Sequence, residues 1–305
     1  MAARGQAPAE RDREPEGATL GERRLIVLSD MDGTFVHTDK SVPEANLRAL
    51  DVLVAHGGVF APCTGRPARM LPQELLDHPA TRYAVSTNGA VISEVSHDAD
   101  GCGTLAGTVR SVSLGVERAR ALLDALEGRD VVLDVFTDEG AFMERADYER
   151  LDGFVPEPYT LRLLHRIREA VDEPLGEVVG HVGSVDRVTV FWRDEADAEL
   201  VRELADADPT LSCVSSMPWN FELTDARATK GSALEWLCER EGIPVADSVA
   251  FGDSSNDVPM LMAAGDGVCM ANGTPETIAA ADHVTVLDND HDGLADYLLG
   301  LLGER

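Results

Sequence analysis

Short apolar runs alternate with amphipathic stretches near the start of the chain. Leu25 to Leu28 is a continuous run of leucine and β-branched residues, which is typical of a strand buried on both faces of a parallel sheet. A helix is predicted next, with Ser41 as its N-cap, Glu44 completing a capping box, and Gly57 at its end. A second strand is predicted from Val59 to Cys63.

The same alternation continues along the chain and returns near its end. "TGRPARMLPQELL" predicts a second helix and "YAVST" a third strand. Towards the end, helix, strand, helix and strand are predicted in turn by "KGSALEWLCEREGI", "SVAFGD", "NDVPMLMAAG" and "GVCMANG". Repeated strand-helix-strand units predict an α/β fold, namely a doubly wound, Rossmann-like core built on a parallel sheet.

The pattern changes between residues 93 and 217. "DVVLDVFTDEGAFM" predicts a hairpin about Glu139 and Gly140, and a strand-helix-strand pattern follows it. We therefore predict an inserted α+β domain at 93–217 and a core formed by 23–92 together with 218–305. Residues 1–22 lack apolar periodicity and are predicted to be a flexible tail.

Charge and cysteine content narrow the functional classes. The 305 residues include 55 acidic and 26 basic side chains, a net charge of −29, which disfavours nucleic acid and anionic membranes as partners. The five cysteines never form a C-x-x-C pair, so we expect a reduced cytoplasmic setting without a zinc site. Lysine occurs only as Lys40 and Lys230, which draws attention to both.

Two aspartates follow the first predicted strand. Asp30 and Asp32 are succeeded at once by Gly33 and Thr34, and residues two apart in extended chain point to the same side. Asp-x-Asp recurs elsewhere in this acidic chain, so the position at a strand's end, and not the spacing, favours a ligand site. The alternative is a solvated turn or a capping carboxylate.

Three further segments carry polar residues at the ends of predicted strands or at the starts of predicted helices. In "GDSSND", Asp253, Asn256 and Asp257 follow a strand, although each also suits the first turn of a helix. Thr64 and Gly65 open a predicted helix, where an anion can bind. Lys230 precedes another helix, where it is either a specific ammonium or a solvated lysine.

Together these groups indicate phosphoryl transfer. A carboxylate that attacks an anionic phosphate is repelled by it, so a cation is needed. Oxygen ligands without histidine or cysteine favour Mg²⁺, for which Asp30 and Asp253 are the natural ligands. Asp30 would attack phosphorus to form an aspartyl-phosphate, and Asp32 would protonate the leaving alcohol and then deprotonate water.

Several motifs occur together in a fixed order: "DMDGT", "TGR", "TNGA", "ATKG" and "GDSSNDVPML". In this the sequence resembles haloacid dehalogenase superfamily phosphatases of the Cof-like subgroup (type IIB), which carry a large α/β cap. The resemblance implies that Asp30 is the nucleophile, that Asp32 is the acid/base, and that Lys230 serves the catalytic centre. It also implies that Mg²⁺ is held by the Asp30 and Asp253 carboxylates and the Asp32 backbone carbonyl, with support from Asp257.

The resemblance further implies the residues that hold the substrate phosphate, which are Thr64, Gly65, Lys230, Asn256 and the Met31 amide, with Asn88 at the entry to the cap.

Two positions depart from the family pattern. Pro62 lies just before Thr64, and Arg227 replaces a small residue; we favour a solvent-facing position for Arg227. Phe136, Arg187, Trp192 and Trp219 are unranked candidates for substrate contact.

The expected activity is hydrolysis of a small phosphomonoester, such as a sugar phosphate or similar metabolite. One alternative is a phosphomutase of the same superfamily, which returns the phosphoryl group to a sugar. Another is a phospho-receiver or binding module without turnover, because such modules also place an acidic cluster with threonine and lysine on an α/β sheet. Asp32-Gly33-Thr34 and the large insertion argue against that module.

Overall fold

A computed structural model describes residues 24–304 of the chain. The predicted tail at 1–22 lies outside the described residues. The strands within the described part are β1 (Ile26–Ser29), β2 (Val59–Pro62), β3 (Tyr83–Ser86), β4 (Val91–His97), β5 (Gly103–Ser111), β6 (Val132–Thr137), β7 (Ala141–Glu144), β8 (Arg168–Val171), β9 (Val185–Phe191), β10 (Leu211–Val214), β11 (Asn220–Asp225), β12 (Ser248–Gly252), β13 (Asp266–Cys269) and β14 (His283–Val284).

The α-helices connect these strands and cover the sheets that the strands form. They are α1 (Glu44–Ala55), α2 (Gln73–Leu76), α3 (Val116–Ala125), α4 (Arg145–Arg150), α5 (Pro158–Ile167), α6 (Leu175–His181), α7 (Glu195–Ala207), α8 (Lys230–Glu241), α9 (Val258–Ala263), α10 (Pro275–Ala280) and α11 (Gly293–Leu301).

A parallel five-stranded sheet forms the centre of the fold, in the order β14-β13-β12-β1-β2. Side chains alternate across it: Val27 packs on the side that includes α1 and α11, whereas Ile26 and Leu28 pack on the side that includes α8 and α9. Both faces are therefore buried, as the unbroken apolar run in β1 indicated. The predicted doubly wound α/β fold is confirmed.

Pro62 interrupts the pairing between β2 and the following strand. The Phe60 and Thr64 amides donate to Ala80 O and Val85 O, and Pro62 lies between them on the same side of β2 without an N–H to donate. Only isolated parallel bridges join β2 to the β3 region. The predicted third strand is present, but its continuous ladder is antiparallel, in a three-stranded sheet ordered β3-β4-β5.

The middle of the chain forms a six-stranded sheet, in the order β10-β11-β9-β6-β7-β8. The predicted hairpin is confirmed as the antiparallel pair β6 and β7. One face of the sheet packs against α3, α6 and α7 through an apolar cluster that includes Leu122, Val179 and Val201. The other face carries buried charged side chains, among them Arg168 and Arg187.

The two predicted domain boundaries fall at positions where strands pair. The boundary after residue 92 lies inside β4, which pairs with both β3 and β5. The boundary at 217 lies just before β11, which pairs with β10 and β9. The division into core and inserted cap stays a prediction, and a boundary that keeps the six-stranded sheet whole would follow Asp225.

Two local predictions were wrong. Ser41 does not cap α1, because the helix begins at Glu44 with Pro43 at the N-cap position and the Ser41 hydroxyl donates to Asp39. The predicted helix after Thr64 is broken into a short 3₁₀ turn and the one-turn helix α2. Pro72 explains the break, since the residue before a proline avoids helical backbone angles, and Leu71 is extended.

Within residues 24–304 we find no helix whose length and apolar character would let it cross a membrane.

Asp186 offers a test of how the six-stranded sheet tolerates a buried acid. Burial raises the pKa of Asp186 to about 6, so the folded state binds a proton more tightly than the unfolded state, and stability falls as the pH rises from about 4 to about 6. We expect Asp186→Asn to raise the free energy of unfolding at pH 7 by about 1–3 kcal/mol, with the gain shrinking towards pH 4.

Urea unfolding at the two pH values measures this change. Asp124→Asn, on the exposed side of α3, is the control and should show no such dependence. A variant at Asp186 that is no more stable than the wild type at pH 7 would contradict the prediction.

Candidate active site

The candidate site lies where the central strands of the parallel sheet end. Asp30 directly follows β1, Asp253 directly follows β12, and Thr64 lies two residues beyond β2. Because β12, β1 and β2 are neighbours in the sheet, their carboxyl ends meet at one edge, which is where open α/β sheets bind ligands. Lys230, the first residue of α8, joins them at this edge.

Lys230 is the centre of a buried ion-pair network. Its Nζ lies 2.5 Å from Asp30 Oδ1 and 2.6 Å from Asp257 Oδ1, and the lysine has no exposed surface. Burial alone would lower the pKa of Lys230, but the charges of Asp257 and Asp30 outweigh it and hold that pKa well above its usual value. The ammonium is therefore a fixed positive charge at the end of β1.

Three carboxylates, including the two that pair with Lys230, gather at the same edge. Asp30, Asp253 and Asp257 each offer an oxygen, and these atoms lie within 4.8 Å of one another. Burial raises the pKa of Asp30 well above its usual value despite Lys230, and burial together with the charge of Asp257 raises the pKa of Asp253 to about 6. One ammonium cannot balance three acids, so the chemistry of this donor set fits a divalent cation.

Asp257 is placed to support the site. Its Oδ1 accepts the Lys230 hydrogen bond, while its Oδ2 accepts from the amides of Asp253 and Ser254 at 3.0 Å. The capping alternative for "GDSSND" also holds, because Ser254 and Asp257 form a reciprocal capping box on a 3₁₀ turn. Both Asp257 oxygens are thus engaged, which leaves Asp30 and Asp253 as the more open ligands.

The turn after Asp30 brings the two segments together. Gly33 has φ of +84°, and a Cβ there would lie 2.6 Å from Asp253 Oδ2, so only glycine fits. Next to it, the Thr34 hydroxyl donates to Asp253 Oδ1 at 3.1 Å. The buried Met31 occupies the turn, and its carbonyl accepts from the Thr34 amide.

The Asp32 side chain lines the same cavity as Asp30 and Asp253 but is not part of the three-carboxylate cluster. Lys40 Nζ lies 2.8 Å and Arg66 Nη2 2.6 Å from the same oxygen, Asp32 Oδ1. This arrangement brings no Asp32 carboxylate oxygen into the acidic cluster and leaves the expected role of its backbone carbonyl as a prediction. The sequence motifs predict no role for Arg66 or Lys40, although Lys40 stands out as one of only two lysines in the chain.

The residues expected to hold phosphate form a connected group. Asn256 Nδ2 donates to Asn88 Oδ1 at 3.1 Å, and the Asn88 amide donates to Thr64 O. Gly65 lies beside Asn88, because a Cβ at Gly65 would meet Asn88 Oδ1 at 3.0 Å. Asn88 also lies in the tight turn between the antiparallel strands β3 and β4 with φ of +54°, and its role at the entry to the cap stays a prediction.

The six-stranded sheet reaches this group through side chains that the motifs did not indicate. Arg187 Nη1 donates to Gly65 O at 2.8 Å and lies 3.0 Å from Glu222 Oε2, and Glu222 accepts from Asn88 Nδ2 at 2.6 Å. Arg187 was an unranked candidate for substrate contact. Glu222 was missed, since nothing in the sequence distinguishes it from the other acids.

A cavity of about 440 Å³ lies between the sheet edge and the six-stranded sheet, a size that suits a small ligand. Phe136 and Arg187 line it, whereas Trp192 and Trp219 are not among its lining residues. Arg227 is mostly exposed and pairs with Asp225, so the predicted solvent-facing position is confirmed.

Comparison with known proteins gives a consistent result. A family model described as haloacid dehalogenase-like hydrolase matches residues 27–298. Phosphatase YwpJ of Bacillus subtilis is 28% identical, over 91% of this chain and 99% of the relative. The 5-amino-6-(5-phospho-D-ribitylamino)uracil phosphatase YitU of the same organism is 26% identical, over 90% and 96% of the two chains.

A solved structure shows the same architecture. The sugar phosphatase BT4131, of haloacid dehalogenase subclass IIB, superimposes with a TM-score of 0.72, covering 92% of this chain and 100% of that chain, at 20% identity. At this identity the likeness shows the fold.

The chain's two lysines make a matched test of the buried network. Lys230→Met would leave Asp30 and Asp257 facing each other without their cation, and we expect a loss of about 3–5 kcal/mol in the free energy of unfolding. Lys40→Met removes a partly exposed ion pair and should cost less than about 1 kcal/mol. Urea unfolding in the presence of EDTA measures both, and equal small losses would show that Lys230 does not organise the site.

Proposed function

We propose, from the premise that the chain belongs to the haloacid dehalogenase-like hydrolase family, that it is a Mg²⁺-dependent phosphatase acting on a small phosphomonoester. The observation that carries the proposal is the buried arrangement of Asp30, Lys230 and Asp253 at the end of β1 and β12. A carboxylate held between an ammonium and a cation site is suited to attack phosphorus, because both positive charges oppose its repulsion from phosphate.

The chain's own residues account for each proton and bond in the proposed cycle. An Asp30 oxygen attacks phosphorus, the bond from phosphorus to the leaving oxygen breaks, and Asp32 delivers a proton to that oxygen. Asp32 then accepts a proton from water as the water oxygen attacks the aspartyl-phosphate, which regenerates Asp30 and releases phosphate. When bound, Mg²⁺ would offset the charge of the phosphoryl oxygens, held by Asp30, Asp253 and the Asp32 carbonyl.

Asp32 must change partners to perform this role. In the structure its Oδ1 is held by Lys40 and Arg66, so the carboxylate has to leave at least one of them when it turns towards the leaving oxygen. Thr64, Gly65, Asn256 and the Met31 amide would hold the other phosphoryl oxygens. Asn88, which bonds to Asn256 and Glu222, would keep these groups aligned with the cap.

We further propose that the leaving group is a sugar or similar polyol. The cavity lining combines an exposed aromatic ring, Tyr159, with Arg187 and Glu222, a mixture that can pack on a ring and hydrogen-bond to hydroxyl groups. The structurally similar BT4131 is described as a sugar phosphatase. Contacts from the six-stranded sheet to Gly65 and Asn88 would exclude water from the site during transfer.

Removing the nucleophile tests the mechanism. Asp30→Asn retains the shape but lacks the attacking charge, so we expect phosphate release from p-nitrophenyl phosphate in Mg²⁺ to fall by on the order of 10³-fold or more. Chelation by EDTA should abolish wild-type activity, and Mg²⁺ should restore it. Asp100→Asn, in the exposed pair Asp98/Asp100, is the matched control and should behave as the wild type.

Three outcomes would contradict the proposal. Activity that survives Asp30→Asn would exclude this nucleophile, and an isomerised phosphosugar formed without free phosphate would identify a mutase. A stable acyl-phosphate without turnover would identify a receiver module.

A further inference from the structure

A side pocket of about 170 Å³ adjoins the main cavity and shares Asp32, Lys40, Thr64 and Arg66 with it. Its charged lining consists of three basic side chains, Lys40, Arg66 and Arg166, and one acid, Asp32. In a chain with a net charge of −29, a pocket with surplus positive charge is a local reversal that favours an anion.

The positive surplus follows from how the ion pairs are arranged. Lys40 and Arg66 both end on the same oxygen of Asp32, so one negative charge offsets only one of two positive charges. Arg166 lies in the exposed last turn of α5 and has no ion-pair partner among residues 24–304. A cation at a helix C-terminus is favourable in itself, but that does not explain why three cations line one pocket.

Lys40 has features of its own that point to a required side chain. Its φ of +72° is in the left-handed region, which glycine or asparagine adopts more readily than a long side chain does. It is also one of two lysines in the chain, and the other, Lys230, holds Asp30. Both lysines therefore lie against the carboxylates that the proposed mechanism uses.

We propose that Lys40, Arg66 and Arg166 form a second anion-binding subsite, so that the preferred substrate is a phosphomonoester whose leaving alcohol carries a further carboxylate or phosphate. This inference rests on the proposed function. When Asp32 turns towards the leaving oxygen, the second anionic group takes its place beside Lys40 and Arg66. Substrate binding would thus release the acid/base from its ion pairs and supply the negative charge that Asp32 withdraws from Lys40 and Arg66.

The experiment compares substrates that share a carbon skeleton and differ in one anionic group. Phosphate release by the full-length enzyme with Mg²⁺ is measured for glucose 6-phosphate against 6-phosphogluconate, and for fructose 6-phosphate against fructose 1,6-bisphosphate. In at least one pair, we expect kcat/KM to be about tenfold or more higher for the substrate that carries the second anionic group. The first pair reports on a carboxylate and the second on a phosphate, and raising the salt concentration should reduce either preference.

A matched pair of variants assigns the preference to the pocket. In each pair, the kcat/KM of the substrate with the second anionic group is divided by that of the substrate without it. Arg166→Gln should lower this ratio by about threefold or more. Arg162→Gln, an exposed change on the same helix outside the pocket, should leave the ratio unchanged.

Hydrolysis with ratios near one for both pairs, unaffected by Arg166→Gln, would overturn the subsite while leaving the phosphatase proposal intact. A failure to release phosphate from any of the four compounds and from p-nitrophenyl phosphate would overturn both.

Discussion

The arrangement of the site depends on one buried ammonium, that of Lys230. Taking a lysine and two aspartates out of water costs several kcal/mol per charge, and their attraction offsets that cost only if the geometry is well formed. The fold supplies this geometry from three separate segments: the end of β1, the start of α8 and the turn after β12. A capping box between Thr229 and Ser232 fixes the backbone just where α8 begins. The pairing of β1 with β12 and the packing of α8 against them therefore depend on whether the ion pairs of Lys230 are intact.

Several of the chain's basic side chains lie around this ammonium. Acids outnumber bases by 55 to 26, so an approaching phosphate ester is repelled by most of the surface. Inside the cavity the balance is nearly even, since Lys40, Arg66, Arg168 and Arg187 line it with Asp30, Asp32, Glu157, Glu222 and Asp253, and Lys230 pairs with Asp30. A cavity walled by low-dielectric protein strengthens such local charges relative to distant ones, so a cation held by the acids would favour an anion there within an acidic protein.

The parts of the fold that follow from local pattern were predictable, and those that depend on distant contacts were not. The unbroken run in β1 predicted a buried strand, and the motifs predicted Asp30, Asp253 and Lys230 as site residues, which the structure brings together at one sheet edge. The break in the predicted helix before Pro72 also follows from the local sequence, because a proline disfavours helical backbone angles in the residue before it.

Glu222 and Asn88, by contrast, are 134 positions apart and meet only because the six-stranded sheet lies over the sheet edge. Glu222 is one acid among 55, and no periodicity marks it. The same is true of the pairing of Asp32 with Arg66, which engages the Asp32 carboxylate although both Asp30 and Asp32 line the cavity as expected.

The way the six-stranded sheet contacts the site has a consequence for turnover in the proposed cycle. Arg187 on β9 and Glu222 on β11 pair with each other within one sheet. Each also makes a hydrogen bond outside that sheet: Arg187 donates to Gly65 O, and Glu222 accepts from Asn88 Nδ2. If the sheet moves away to release product, the ion pair moves as a unit and no buried charge is left alone. At these two residues opening then costs two hydrogen bonds, which water can replace, and not the several kcal/mol that a separated buried ion pair would demand.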